Sequence, residues 1–304
     1  MLPVFGMPLN AAGTPAKSYD EAKRRIEAYQ ALDDASIIPD AYTKFYDCGQ
    51  RTKLAVVLLH GLTNHPGQYV QFAPLVRDLG ANVFVPRLPE QGDRDRMTTR
   101  LAKLTAEMLL AAATEAVDIA CGLGERVCVL GISTSGLLCA FFAQHRADVA
   151  HSIVVSPVFA LLNLAYWESR IVAGGMRTLP NFFVWWDPRN KLKELPLTGY
   201  PRFSTHALGQ CLRIGDDVYA ASRRSPVASR VTVVTNMRDP AVNNRVTAAV
   251  VEAWRKRDPK AIADYQFTDL PVNHDIIDPQ NAVPRTDIVY PVLLQHVRGT
   301  MEVP

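Results

Sequence analysis

Short apolar runs alternate with longer amphipathic stretches along much of this chain, which is the pattern of strands and helices taken in turn. The clearest run is 53–59, Lys-Leu-Ala-Val-Val-Leu-Leu, nearly all apolar, as a strand buried on both faces must be. A second strand is predicted at 41–48, with Gly49-Gln50-Arg51 as the turn between them. Ahead of both, Ser18-Tyr-Asp-Glu21 has the form of a capping box. It opens a helix carrying Tyr19, Ala22, Ile26 and Tyr29 on one face. Downstream the pattern predicts a helix at about 68–79, a strand at 82–86, a polar loop at 87–98 and a long helix at about 101–122. A strand at 126–130, a helix at 134–146 and a strand at 152–156 follow. This alternation predicts an α/β fold with a doubly wound, mostly parallel central sheet.

The alternation stops at residue 158. From there to 229 the chain is rich in aromatic residues and proline, and no strand is predicted. It resumes with a strand at 231–235, a helix at about 242–257, a strand at 264–268 and a helix at about 285–298. The expected organisation is a core of 51–157 and 230–304, an inserted cap of 158–229 over the carboxyl edge of the sheet, and an N-terminal helical or extended addition of 1–50. That edge is where open α/β sheets bind ligands.

Composition adds few constraints. The chain has 304 residues, 48% of them apolar and 21% charged, ordinary for a globular protein with a substantial core. The formal charge of +3 comes from mixed signs. Lys23-Arg24-Arg25 and Arg255-Lys256-Arg257 read as solvated helix faces, so no nucleic-acid partner is expected. The five cysteines are odd in number and lack zinc-ligand spacing. Cys128 and Cys139 fall in apolar elements, as buried free thiols do, which favours a reducing compartment. No leader is evident at the first residues and no apolar stretch is long enough to span a bilayer. A cytoplasmic protein without stable membrane insertion is expected.

Candidate chemistry lies at 126–136, Arg-Val-Cys-Val-Leu-Gly-Ile-Ser-Thr-Ser-Gly. An apolar strand, a Gly-x-Ser turn and a helix-forming stretch make a nucleophile elbow, with Ser133 at the apex. The turn brings Gly131 and Ser135 together, so both must be small; the usual pattern has glycine where Ser135 stands. Serine needs a base, and in this architecture an acid and then a histidine follow it in the chain. Asp239 follows the strand after the insertion, and His274 follows the last strand. The other histidines fit the order less well. Asp216, Asp217, Asp269 and Asp275 remain alternative acids, and Asp239 has a second reading as a turn or N-cap residue. An oxyanion needs donors: the N–H of Thr134, just after the nucleophile, and the N–H of Leu62, in His60-Gly61-Leu62 after the buried strand. Gly122-Leu-Gly124 reads as a helix end, and no metal, flavin or nicotinamide cofactor is expected.

In these residues the chain resembles the α/β-hydrolase superfamily, particularly bacterial carboxylesterases and monoacylglycerol-lipase-like serine hydrolases with a helical cap. The matching residues are His60-Gly61-Leu62, Gly131 to Gly136, Asp239 with Val242, and His274, within a similarity running from about Lys53 onward. The resemblance implies ester hydrolysis through a Ser133–His274–Asp239 triad and an acyl-enzyme, with a small-molecule ester as partner. Thioesterase, amidase, peptidase or acyltransferase activity on the same triad is the alternative, and a non-catalytic binding protein of this fold is a third reading. Three of the four tryptophans lie in the insertion. There Trp167, Phe182, Phe183, Trp185 and Trp186 are candidates for an apolar acyl or aromatic pocket, against the plainer reading that they pack the cap. Arg170, Arg177, Arg189 and Arg202 are either head-group contacts or solvated.

Overall fold

A computed structural model describes residues 9–189 and 199–302. Its main sheet contains β1 (Lys44–Tyr46), β2 (Thr52–Leu59), β3 (Asn82–Val85), β4 (Gly124–Ile132), β5 (Val149–Val155), β8 (Arg230–Asn236) and β9 (Ile262–Phe267), in the order β1-β3-β2-β4-β5-β8-β9. All neighbours are parallel except β1, which pairs antiparallel with β3 at the edge. The sheet therefore begins before residue 51, inside the stretch expected to be an addition.

Helices cover both faces. On one lie α1 (Tyr19–Gln30), α3 (Ala106–Leu123), α4 (Thr134–His145) and α7 (Asn244–Arg255); on the other lie α2 (Phe72–Asp78) and α8 (Thr286–Glu302). Side chains of β2 alternate between the two cores. Ala55, Val57 and Leu59 join the first, and Leu54, Val56 and Leu58 the second. Burial on both sides accounts for the unbroken apolar run.

Local chemistry sets the element ends. Ser18 Oγ caps α1 at the Glu21 N–H, and Thr105 Oγ1 caps α3 at the Met108 N–H. The long helix expected from about 101 is thus a 3-10 turn, Arg100–Lys103, followed by a separately capped helix. The N-terminal segment is held by Arg25 paired to Glu115, and by Asp118, which accepts from the Thr14 N–H and pairs with Arg146.

The insertion contains α5 (Tyr166–Thr178), a two-stranded sheet of β6 (Phe183–Trp185) and β7 (Arg202–Ser204), and α6 (Thr205–Ala221). The two strands correct the expectation of none. They are short and partnered across a long sequence separation, so neither a run nor a tight turn announces them. Helices α5 and α6 are joined by stacked Tyr166 and Tyr219, 3.6 Å between centroids, and by a Tyr166 hydroxyl bond to Asp216. Glycine allows α6 its close approach: a Cβ on Gly209 would stand 2.9 Å from Arg177 Cγ and 3.1 Å from the Ala173 carbonyl oxygen. The start of the insertion is bridged to the loop after β8 by Leu161 opposite Val242.

Candidate active site

Strand β4 ends at Ile132 and α4 begins at Thr134, leaving Ser133 alone at the turn with φ 62° and ψ −117°. A positive φ in a non-glycine residue is strained and persists only where the surroundings hold it. Here the Ser133 N–H donates to the Val155 carbonyl at 2.9 Å. A Cβ on Gly131 would lie 2.6 Å from the Ser135 carbonyl oxygen, and one on Gly136 2.9 Å from that of Val155. Both clashes are with backbone, so the turn requires glycine at these two places. Ser135 is accommodated because its buried hydroxyl donates to the His60 carbonyl.

The loops after β8 and β9 bring the other two groups to this serine. His274 Nε2 is 2.8 Å from Ser133 Oγ. His274 Nδ1 is 2.8 Å and 3.0 Å from the two carboxylate oxygens of Asp239. The Asp239 side chain is fully buried, and its Oδ1 also accepts the N–H groups of Ala241 and Val242. Burial pulls the His274 pKa down; the Asp239 carboxylate, by hydrogen bond and charge, and the charge of Asp275 outweigh it, and the net direction is upward. The remaining candidate acids with described partners face elsewhere. Asp216 meets Tyr166 and Arg170, Asp217 meets His145, and Asp275 turns toward Gln68 and Asn64.

The loop after β2 passes beside Ser133, with Gly61 so close that a Cβ there would lie 3.8 Å from Ser133 Cβ. Buried His60 orients it. The Leu88 N–H donates to His60 Nε2 at 3.0 Å, leaving Nδ1–H to donate to the Gly61 carbonyl at 3.1 Å. Burial pushes the His60 pKa down to about 3, so this imidazole is neutral. The Leu62 N–H donates to Thr134 Oγ1 at 3.0 Å.

Several supporting residues escaped the sequence reading. Asn236, buried at the end of β8, donates to the carbonyls of Pro271 and Asn273 and so ties the loop of Asp239 to the loop of His274. Gln68 accepts the Gly61 N–H at 3.0 Å and donates to Asp275 at 2.7 Å, and Asn64 donates to both Asp275 and Asp278. Burial and repulsion from Asp278 push Asp275 up to about 6. Thr63, at φ 70°, accepts the Trp186 Nε1–H on its hydroxyl at 2.8 Å and the Tyr200 N–H on its carbonyl at 2.7 Å. The only available signal was a polar residue at a strand end or in a loop.

The aromatic candidates of the insertion divide. Trp186 reaches the Thr63 loop and packs on Phe203, 4.4 Å between centroids. Phe183 lies under the Arg202 guanidinium, and Trp185 is half-buried on β6. Trp167 and Phe182 are each 63% exposed. Of the arginines, Arg170 faces Asp216, Arg177 bonds the Gly209 carbonyl and Arg202 that of Met97. Among the described residues, no group of three or more His, Cys, Asp or Glu side chains is arranged to hold a metal, and no helix is long and apolar enough to cross a membrane.

The profile of the alpha/beta hydrolase family matches residues 56–289, most of the chain. The chain belongs to that family. No curated protein matches this hydrolase in sequence. Among solved structures, the hydrolase is similar to one in a study of LipS and LipT, two metagenome-derived lipolytic enzymes, with TM-score 0.66 and 14% identity over 86% of this chain and 99% of the other. It is similar to the monoacylglycerol lipase of Paleococcus ferrophilus at TM-score 0.63 and 18% identity, over 85% and 98% of the two chains. Est1E from Butyrivibrio proteoclasticus, solved with ferulic acid bound, matches at TM-score 0.54 and 17% identity, over 86% and 94%. At these identities the likeness is one of fold.

Proposed function

We propose that this hydrolase cleaves carboxylic esters through Ser133, His274 and Asp239. The observation that carries the reading is the unbroken hydrogen-bonded line from Ser133 Oγ through the two His274 nitrogens to a buried carboxylate. In such a line the carboxylate holds the imidazole in one tautomer, with Nδ1 protonated and Nε2 free to accept. Ser133 Oγ attacks the ester carbonyl carbon while His274 Nε2 takes the hydroxyl proton. The oxyanion develops between the Leu62 loop and the first turn of α4, where the Thr134 N–H is a donor. Collapse expels the alcohol, which receives the proton from His274. Water then attacks the acyl-enzyme with the same histidine as base, and Ser133 is restored.

On this reading residues 158–229 form a cap whose inner surface selects the acyl group, and Trp186, beside the Thr63 loop, is the candidate nearest the reacting centre. An apolar acyl or aromatic ester of small to medium size suits the aromatic content of the insertion. The lipolytic enzymes and the ferulate-bound Est1E of the same fold support that class. The five free thiols support a cytoplasmic setting.

A series of nitrophenyl esters of rising chain length, with a thioester and an anilide alongside, tests the proposal. The esters are hydrolysed fastest, and Ser133→Ala removes the activity by at least about 10³-fold. Turnover of none of these substrates by the wild type, or an undiminished rate in Ser133→Ala, would defeat it.

A further inference from the structure

The Leu62 N–H is already occupied in the resting structure, by Thr134 Oγ1 at 3.0 Å. A backbone N–H has one proton to give. An oxyanion forming here therefore meets a hydroxyl where the usual arrangement offers a bare amide. Thr134 is 6% exposed and stands immediately after the nucleophile, as the first residue of α4. Its β-branched side chain has few rotamers open to it, and α6 packs over this turn. The buried thiol of Cys211, on α6, interacts with the same hydroxyl, which opposes the effect of burial on the thiol pKa. Swinging Thr134 Oγ1 aside would leave a buried donor and a buried hydroxyl both unpaired, which is costly. Turning only the hydroxyl hydrogen about the Cβ–Oγ1 bond moves no heavy atom.

We propose that the Thr134 hydroxyl is itself an oxyanion donor. It accepts the Leu62 N–H on one lone pair and donates its own hydrogen to the oxyanion, beside the N–H of the same residue. Leu62 then acts through the hydroxyl it polarises, since hydrogen bonds in a chain strengthen one another in a low-dielectric site. The hydroxyl hydrogen stays on Oγ1 throughout; it turns toward the developing charge. This inference rests on the ester-hydrolase reading given above and deepens it, assigning a catalytic side chain where backbone alone was expected.

The test is steady-state kinetics of Thr134→Val and Thr134→Ser on a nitrophenyl ester, with melting temperature and circular dichroism to establish that each variant is folded. Valine keeps the branched shape and removes the donor; serine keeps the donor. Thr134→Val is expected to lose about 10²- to 10³-fold in kcat with little change in KM, while Thr134→Ser stays within about fivefold of wild type. A merely structural role would lower the melting temperature and leave kcat per folded molecule unchanged. Should the valine variant not fold, Thr134→Ala serves in its place, with kcat falling at least about tenfold. A valine or alanine variant as fast as wild type, or faster, makes the hydroxyl a plug that substrate displaces, and overturns the inference alone. A wild type that neither hydrolyses the ester nor reacts with a fluorophosphonate overturns the ester-hydrolase reading, and the inference with it.

Discussion

Ser133 stands in a backbone conformation that its side chain alone would not choose, held there by the Val155 carbonyl and by two neighbours without Cβ atoms. The strain keeps its hydroxyl clear of the helix and within 2.8 Å of His274. His274 is the group whose protonation governs the proposed reaction. Its pKa lies above the ordinary histidine value because Asp239 and Asp275 favour the imidazolium. The imidazolium cannot act as base, so kcat/KM falls as pH drops through that raised pKa, and the acid limb lies above that of an unperturbed histidine. Asp239→Asn removes the largest raising influence and the tautomer control together. It is expected to shift the acid limb to lower pH and to lower kcat by about 10³- to 10⁴-fold. A pH–rate profile unmoved by that substitution would contradict the assignment. Ser135→Ala, by contrast, removes only the hydroxyl bond to the His60 carbonyl, about 1 kcal/mol of stability, and leaves kcat within a few-fold of wild type.

At the scale of elements, the candidate site is where loops from β2, β8 and β9 meet the first turn of α4, with the insertion gripping one of them. Trp186 and Tyr200 both bond Thr63, the residue after Leu62. Trp186→Phe deletes that side-chain bond and keeps an aromatic ring. It is expected to lower kcat/KM by about three- to tenfold, the equivalent of one neutral hydrogen bond, with unfolding by denaturant little changed. An unaltered kcat/KM would mean that the insertion does not help position this loop. Gly131→Ala should be far more damaging, because its Cβ meets the Ser135 backbone at 2.6 Å. A loss of at least about 2 kcal/mol in denaturant unfolding is expected. The turn at Ser133, the order of Asp239 and His274 after it, and the His-Gly loop are legible in the chain, because each is a local pattern of residue types at a fixed place relative to a strand. The ties among them were not. Asn236 to Asn273, Gln68 to Asp275 and Trp186 to Thr63 join residues far apart in sequence, with nothing local to mark either partner. The β6–β7 pair leaves no local mark for the same reason, and the strand pattern at β1 does not announce its place at the edge of the main sheet.

For the whole molecule, the hydropathy pattern carried the fold class because both faces of the sheet are buried, which writes near-continuous apolar strands into the sequence. The same burial encloses histidines. Burial holds His60 down at about 3, His65 at about 4 and His151 at about 3, all neutral in the folded state. In the unfolded chain each takes a proton near its ordinary pKa of ~6.5. Their depressed folded pKa values therefore contribute stability that is complete above that pH and lost as pH falls toward 3 to 4. Each should cost about 2 kcal/mol on going from neutral to about pH 5, at ~1.4 kcal/mol per pH unit. Asp275 and His274, whose folded pKa values are raised, add stability over the same window and offset part of this loss. Denaturant unfolding at the two pH values should still reveal a net loss; a gain in stability at about pH 5 would refute the neutral, buried state of these rings.

Ser133 as the nucleophile is the centre of the proposed reaction, and mass spectrometry of the protein after reaction with a fluorophosphonate tests this most directly. One phosphonyl group is expected on the peptide containing Ser133, present in Ser135→Ala, absent in Ser133→Ala and strongly slowed in His274→Ala. A wild type that takes no label, or a label that persists when Ser133 is alanine, would contradict it.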